Sequence, residues 1–300
     1  MKTNALLCLS FASLISSAAY ATENGDTTWP LGVQTVVPAL LPAPGETSLY
    51  SYTVYYHANK TVDANGDSAV PGFKLDNYVQ ALRLVHTWDV QTDSGLRFSS
   101  GIIGNGGHVK VEAAGSSASD TGMRQAYITP LNILYSPAAN LHLTGGVSLF
   151  TPLGNYDKDS LANTSPNYRT YVAEFAATWF PSQSWEVSIA PTFSFNERNK
   201  DTGYKSGDVM NIDYGVGYRF ASMPKLQVGL AGYYTRQFSD DDLSGQMLPT
   251  GNRLKKFAVG PQLLYNFDEK SGVALKWLHE AEVENGPQGN SIWLQAAFPL

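Results

Sequence analysis

Cysteine is all but absent from this 300-residue sequence, and the single one, Cys8, sits in an apolar run near the N-terminus. A disulfide scaffold is excluded, and an oxidising envelope compartment in which no disulfide is used is allowed. Charge is scarce as well: Lys, Arg, Asp and Glu make up 15% of the chain, against about a quarter in an ordinary soluble domain. Hydrophobic runs do not make up the difference. Mean hydropathy is slightly negative, and beyond the N-terminus no stretch reaches the roughly 18 consecutive apolar residues of a spanning helix. Any membrane crossing must therefore be made by strands. A net charge of −6 also excludes the basic surface expected of a nucleic-acid binder.

Lys2, an apolar run from Ala5 to Ile15 broken only by Ser10 and Ser13, and a small-x-small site at Ala19-Tyr20-Ala21 read as a signal peptide over residues 1–21. Residues 22–47 then carry four prolines with little alternation. Pro38, Pro42 and Pro44 argue against a ladder strand there. This N-terminal segment is expected either to hang in the periplasm or to plug the lumen of a barrel built from residues 48–300.

From residue 48 to 300, strand signals recur between turn signals. The predicted strands are 48–58, 74–87, 95–104, 122–135, 140–152, 168–180, 184–196, 206–221, 224–238, 253–267, 272–283 and 290–300. Alternation is clearest late, as in Met210, Ile212, Tyr214, Val216, Tyr218 and Phe220 against Asn211, Asp213, Gly215, Gly217 and Arg219. The last strand keeps an oily face (Ile292, Leu294, Ala296, Phe298, Leu300) to the final residue, where soluble chains usually fray. A soluble β-sandwich could bury such a strand, and a closing strand in lipid would expose it. The connections favour the second reading. They alternate between long (59–73, 105–121, 153–167, 197–205, 239–252, 284–289) and mostly short, the pattern of outer-membrane barrels, whereas a Greek-key sandwich gives no reason for it. Trp179, Phe180, Trp185, Phe220 and Phe267 abut the short turns, as an interfacial aromatic girdle does. The fold class expected is all-β: a transmembrane, antiparallel, up-and-down barrel of about twelve strands in the bacterial outer membrane.

A series of short motifs carries a family resemblance. Phe150 to Asp157 (FTPLGNYD), Asn163 to Tyr171 (NTSPNYRTY), Tyr204 to Gly207, Asp213 to Tyr218, Gly251-Asn252-Arg253, Gly260-Pro261-Gln262, Lys276-Trp277, Glu280 and Trp293 to Leu300 resemble the outer-membrane proteins of the meta-pathway of phenol degradation. The resemblance covers roughly residues 40–300. It implies an outer-membrane barrel, often named a transporter, associated with catabolism of aromatic compounds, and it brings no established ligand-binding or catalytic residues. Asn285-Gly286 departs from the Asn-Arg pair expected of relatives. The function expected is a channel for passive uptake of small hydrophobic or aromatic compounds. Alternatives are a nonspecific porin, a closed structural or adhesive barrel, and a lipid hydrolase, for which there is no nucleophile motif.

Alternation places Arg83, Arg97, Arg124, Arg219 and Lys276 on the lumen side with Glu174, Glu186, Asp213 and Glu280. Charges there either pair into a network that closes the barrel or line a wet path. Asp63, Asn65 and Asp67 have calcium-loop spacing, but position six is Ser68 and position twelve is Lys74, so a solvated loop is expected, as it is for Asp240-Asp241-Asp242. His142 with Ser148 and His279 with Glu280 adjoin by strand arithmetic without forming a catalytic pattern. No catalytic residue, metal or cofactor is assigned. The expected partners are outer-membrane lipid and lipopolysaccharide, the barrel-assembly machinery acting through Asn290 to Leu300, and the solute.

Overall fold

The structure is a computed structural model that describes residues 27–300. The expected signal peptide, and residues 22–26, lie outside the described residues. In chain order the strands are β1 (Thr47–Val62), β2 (Lys74–Gln91), β3 (Arg97–Ala113), β4 (Ser116–Ala138), β5 (Leu141–Pro152), β6 (Thr170–Trp179), β7 (Trp185–Asn196), β8 (Tyr204–Lys205), β9 (Val209–Arg219), β10 (Leu226–Gln237), β11 (Asp242–Leu243), β12 (Gln246–Met247), β13 (Lys255–Asn266), β14 (Gly272–Glu284) and β15 (Gly286–Pro299). Twelve of them form a closed barrel in the order β1-β15-β14-β13-β10-β9-β7-β6-β5-β4-β3-β2, antiparallel throughout. Closure removes the sheet edge, which lipid could not satisfy. β8, β11 and β12 make a small sheet outside the barrel.

Period-2 patterning decides which way each side chain points. Ile189, Val216, Leu230, Leu263, Leu275, Ile292 and Leu294 face outward and are all exposed. An exposed apolar surface of this extent marks an interaction surface rather than a water-facing one, and on a closed barrel it is the lipid belt. Trp179, Trp185, Phe220 and Phe267 are exposed beside the short turns, where the girdle was expected, and Tyr78, Tyr171, Phe195 and Phe238 are exposed toward the other end. The inward face is the polar one. Glu174, Glu186, Asp213, Lys276 and Glu280 are all buried there.

Two expected long loops are tight turns instead. Residues 105–121 lie mostly within a long β3–β4 hairpin that turns at Ala114 and Gly115, both at positive φ (49° and 84°), the backbone that a two-residue hairpin turn requires. The glycines that read as turn signals are strand residues. A Cβ on Gly107 would lie 2.1 Å from the carbonyl oxygen of Tyr78, so this glycine permits close strand approach. Likewise 284–289 shrinks to a turn at Asn285, φ 55°, and β15 starts at Gly286.

The segment at residues 27–46 contributes no strand to the wall. It runs against the inward-facing side chains. At one end the Gly45 N–H donates to the Thr87 carbonyl, 2.9 Å, beside the start of β1. At the other, Trp29 packs edge-on to Tyr127 and Phe150, with ring centroids 6.0 and 6.3 Å apart. Leu31 and Val33 pack against two buried clusters on opposite walls, one around Tyr127, Phe150 and Val172, the other around Tyr233, Leu278 and Trp293.

Candidate lumenal site

Four inward carboxylates are saturated with donors, and three of them hold the N-terminal segment. Asp213 on β9 accepts the backbone N–H of Gly32 at 2.9 Å and of Gln34 at 2.8 Å, and the Asn211 amide at 2.8 Å. Glu186 on β7 accepts from the Val37 N–H at 2.9 Å, Ser188 at 2.7 Å and Gln227 at 2.6 Å. Glu174 on β6 accepts from the Tyr127 hydroxyl at 2.5 Å, Gln34 at 3.4 Å and the Ser148 hydroxyl. Glu280 on β14 takes Lys256 and Tyr233 at 2.8 and 2.7 Å, and Tyr56 and the Gly289 N–H at 2.7 and 2.6 Å. Opposite Asp213, the Lys276 ammonium donates to the Gly32 carbonyl at 2.5 Å and to the Thr35 hydroxyl at 2.8 Å. Gly32 is thus gripped on both sides of one residue, its N–H by an anion and its C=O by a cation. Its φ of +82° favours glycine, and a Cβ there would come within 2.5 Å of Leu278 Cδ1.

The remaining cations behave differently. Arg97 donates to Ser136 at 3.4 Å and Arg219 to Gln227 at 3.0 Å. Both sit at the ends of their strands next to short turns, away from the central cluster. Arg124 donates to Asn77 at 3.2 Å. Arg83 lies over the Tyr50 ring, 5.9 Å from its centroid, and its Nε has no hydrogen-bond partner. Of the nine residues expected in the lumen, the central strands therefore bring Glu174, Glu186, Asp213, Lys276, Glu280, Arg83 and Arg124 together, and leave Arg97 and Arg219 at the rim.

Between the segment and the β1–β4 wall lies a cavity of about 200 Å³. Leu31, Val54, Leu75, Val79, Ile103 and Trp293 give it apolar surface, and Arg83, Asn77, Asn105 and Gln125 give it polar groups. A concave, mainly apolar site with a few fixed polar groups is what small-molecule recognition uses. Sequence reading missed Lys256, although counting in twos from the outward Phe257 would have found it. It also missed Trp29, for which no signal was present, because that segment has no periodicity.

The other constellations resolve simply. Ser148 is taken by Glu174, and His142 Nδ1 pairs instead with Ser136 at 2.9 Å. His279 pairs with Asn290 at 2.9 Å, not with Glu280, which faces the lumen. Asp63 accepts from the backbone N–H groups of Asn65 and Asp67 in its own loop, at 2.8 and 3.0 Å. Among the described residues no three His, Cys, Asp or Glu converge to hold a metal.

No curated protein matches the chain by sequence. Among solved structures, an outer membrane channel from Pseudomonas putida F1 superposes with a TM-score of 0.76 at 20% identity, covering 87% of this chain and 97% of that one. The β domain of the Bordetella autotransporter BrkA superposes with a TM-score of 0.53 at 10% identity, covering 84% and 99%. These likenesses agree with the observed fold, a twelve-stranded barrel whose outer belt fits the bacterial outer membrane. The model of the family described as "Putative MetA-pathway of phenol degradation" matches residues 58–296, from the far end of β1 into β15, and this chain belongs to that family.

Proposed function

We propose that this barrel is a channel for passive uptake of small hydrophobic or aromatic compounds across the outer membrane, in the service of phenol and related aromatic degradation. The observation that carries the reading is the cavity beside residues 27–34. It has room for a single-ring solute between apolar walls and fixed polar groups, inside a barrel that closes on itself. The family description and the Pseudomonas putida channel support the same reading. Residues 27–46 act in it as a plug that narrows the lumen, and Asn290 to Leu300 as the strand read by the assembly machinery. The barrel itself carries out no chemistry. The Ser136–His142 pair has no carboxylate to orient the ring among the described residues, as a nucleophile's base would need.

Single-channel recording of the refolded mature protein in planar bilayers tests the proposal. Steady conductance is expected, reduced by phenol and raised when residues 22–46 are deleted. Silence from both forms, each folded by its heat-modifiable mobility, would overturn it in favour of a closed structural barrel. The donor-saturated contacts between segment and wall are what such a barrel would use.

A further inference from the structure

We infer that the lumenal cavity carries a subsite for the carboxylate of a small aromatic or hydrophobic acid, with Arg83 as its anion-binding residue. This subsite deepens the channel reading and rests on it for the solute's route, though binding itself does not require permeation.

Donor and acceptor capacity around the cavity are unequal. Two carboxylates border it, Glu174 and Glu280, and between them they take seven donors, leaving little capacity for a ligand's hydrogens. Cations border it three times, at Arg83, Arg124 and Lys256. Lys256 is held by Glu280 at 2.8 Å, and Arg124 is engaged by Asn77. Arg83 is different. Among the described residues no carboxylate reaches ion-pair distance of it: the Tyr50 ring lies 5.9 Å away, and Tyr52, Tyr127 and the Glu174 carboxylate act on it only through space. A guanidinium cannot shed its proton, and an unpaired charge on a partly dry wall is costly unless something arrives to pair with it.

The wall around it has surplus donors as well. Gln125 Nε2, Trp29 Nε1 and Trp293 Nε1 are buried without an acceptor, on residues that border the same cavity. The lone unsatisfied acceptor there among amide side chains is Gln34 Oε1. A site short of acceptors, with one free fork-shaped cation, suits a carboxylate, which can take two parallel N–H bonds from a guanidinium. Leu31, Val79, Ile103 and Trp293 leave the rest of the space to a ring or short hydrocarbon body.

Binding to the refolded protein in detergent tests this apart from transport, with Trp29 and Trp293 as fluorescent reporters. Three probes of one shape are titrated: benzoate, benzyl alcohol and benzylamine. Benzoate is expected to bind at least tenfold tighter than the other two. Arg83→Gln should remove that preference, so that benzoate binds no tighter than benzyl alcohol to the same variant, and Arg83→Lys, a point charge without the fork, should keep part of it. Equal affinity for the three probes, or a benzoate affinity unmoved by Arg83→Gln, would overturn the inference. So would chloride competing as well as benzoate, which would make Arg83 a site for any small anion. If Arg83→Gln fails to fold, the probe series on the native protein still decides. Benzoate selectivity in a barrel that never conducts would sink the channel alone; conduction with no preference for benzoate would sink the subsite alone.

Discussion

Replacing Asp213 by alanine should free the N-terminal segment from the lumen while leaving the barrel wall intact. Asp213 is fully buried and holds the backbone N–H groups of Gly32 and Gln34 at 2.9 and 2.8 Å. Hydrogen bonds to a charged acceptor are worth about 1.5–3 kcal/mol each, so the two together contribute roughly 3–6 kcal/mol to docking. Water entering the vacated space will rehydrate the orphaned N–H groups and recover about half of that. A net loss of about 1.5–3 kcal/mol corresponds to a roughly 10- to 140-fold rise in the undocked population, at 1.4 kcal/mol per factor of ten. The wall depends on none of these bonds, since β9 is laddered to β7 and β10 along its length. Residues 22–300 contain no cysteine, so in a protein of that span Leu31→Cys supplies a single thiol between the two lumenal clusters. Its maleimide labelling rate should rise by one to two orders of magnitude in Asp213→Ala, with the heat-modifiable band unchanged. Equal labelling with and without Asp213 would show that the carboxylate does not hold the segment.

Gly215→Ala attacks the same contact by volume, because its Cβ would stand 2.1 Å from the Thr35 carbonyl oxygen. The segment or β9 must shift, and the segment, held by fewer bonds, is expected to yield, so Leu31→Cys labelling rises here too; unchanged labelling with a collapsed barrel would place the give in the wall. Outside the membrane, the β8–β11 contact should loosen only in acid. The Arg198 guanidinium holds the Asp242 carboxyl below its ordinary range. A lowered folded pKa means that the clamp is at full strength above about pH 4 and weakens as pH falls through the lowered value. A nitroxide at Leu243→Cys should therefore stay immobile at neutral pH, gain mobility below about pH 4, and be mobile at every pH in Arg198→Ala; a transition near neutrality would refute the assignment.

How much of this was legible in the sequence depends on where periodicity exists. β7 and β9 alternate along nearly their whole length and β15 along its middle, so the two-residue period settled their faces and put Glu186, Asp213 and the outward Ile292 and Leu294 on opposite sides of the wall. The β3–β4 hairpin was misjudged because Gly106, Gly107 and Gly115 look alike as letters. Only Gly115 turns the chain, at φ 84°, while Gly107 sits in the ladder opposite Val79. Composition could not separate these roles, since both uses exploit the same missing Cβ. Charge pairing was out of reach for a related reason. Lys256 and Glu280 meet at 2.8 Å from neighbouring strands, and the β13–β14 pairing shifts register at Phe257/Ala258, so counting along each strand alone cannot show that they are partners.

The segment at residues 27–46 explains why the lumen's charges are arranged as they are. A barrel interior of both signs could cancel its charges strand to strand, yet Asp213, Glu186 and Lys276 spend their bonds on the backbone of Gly32, Gln34 and Val37. An irregular chain has backbone N–H and C=O groups that no ladder satisfies, and it can occupy a barrel only if the wall supplies acceptors and donors at matching positions. Proline removes N–H groups from the segment at 38, 42 and 44, toward the β1 end, and the wall's grip concentrates at residues 32–37, where every residue but Val36 makes a hydrogen bond to a wall side chain or lends it a carbonyl. Arg83 on β2 lies outside this arrangement, across the cavity from the gripped stretch. The division is physical: the β6–β14 side of the lumen is spent on its own chain, and the β1–β4 side keeps an unpaired cation for a visitor.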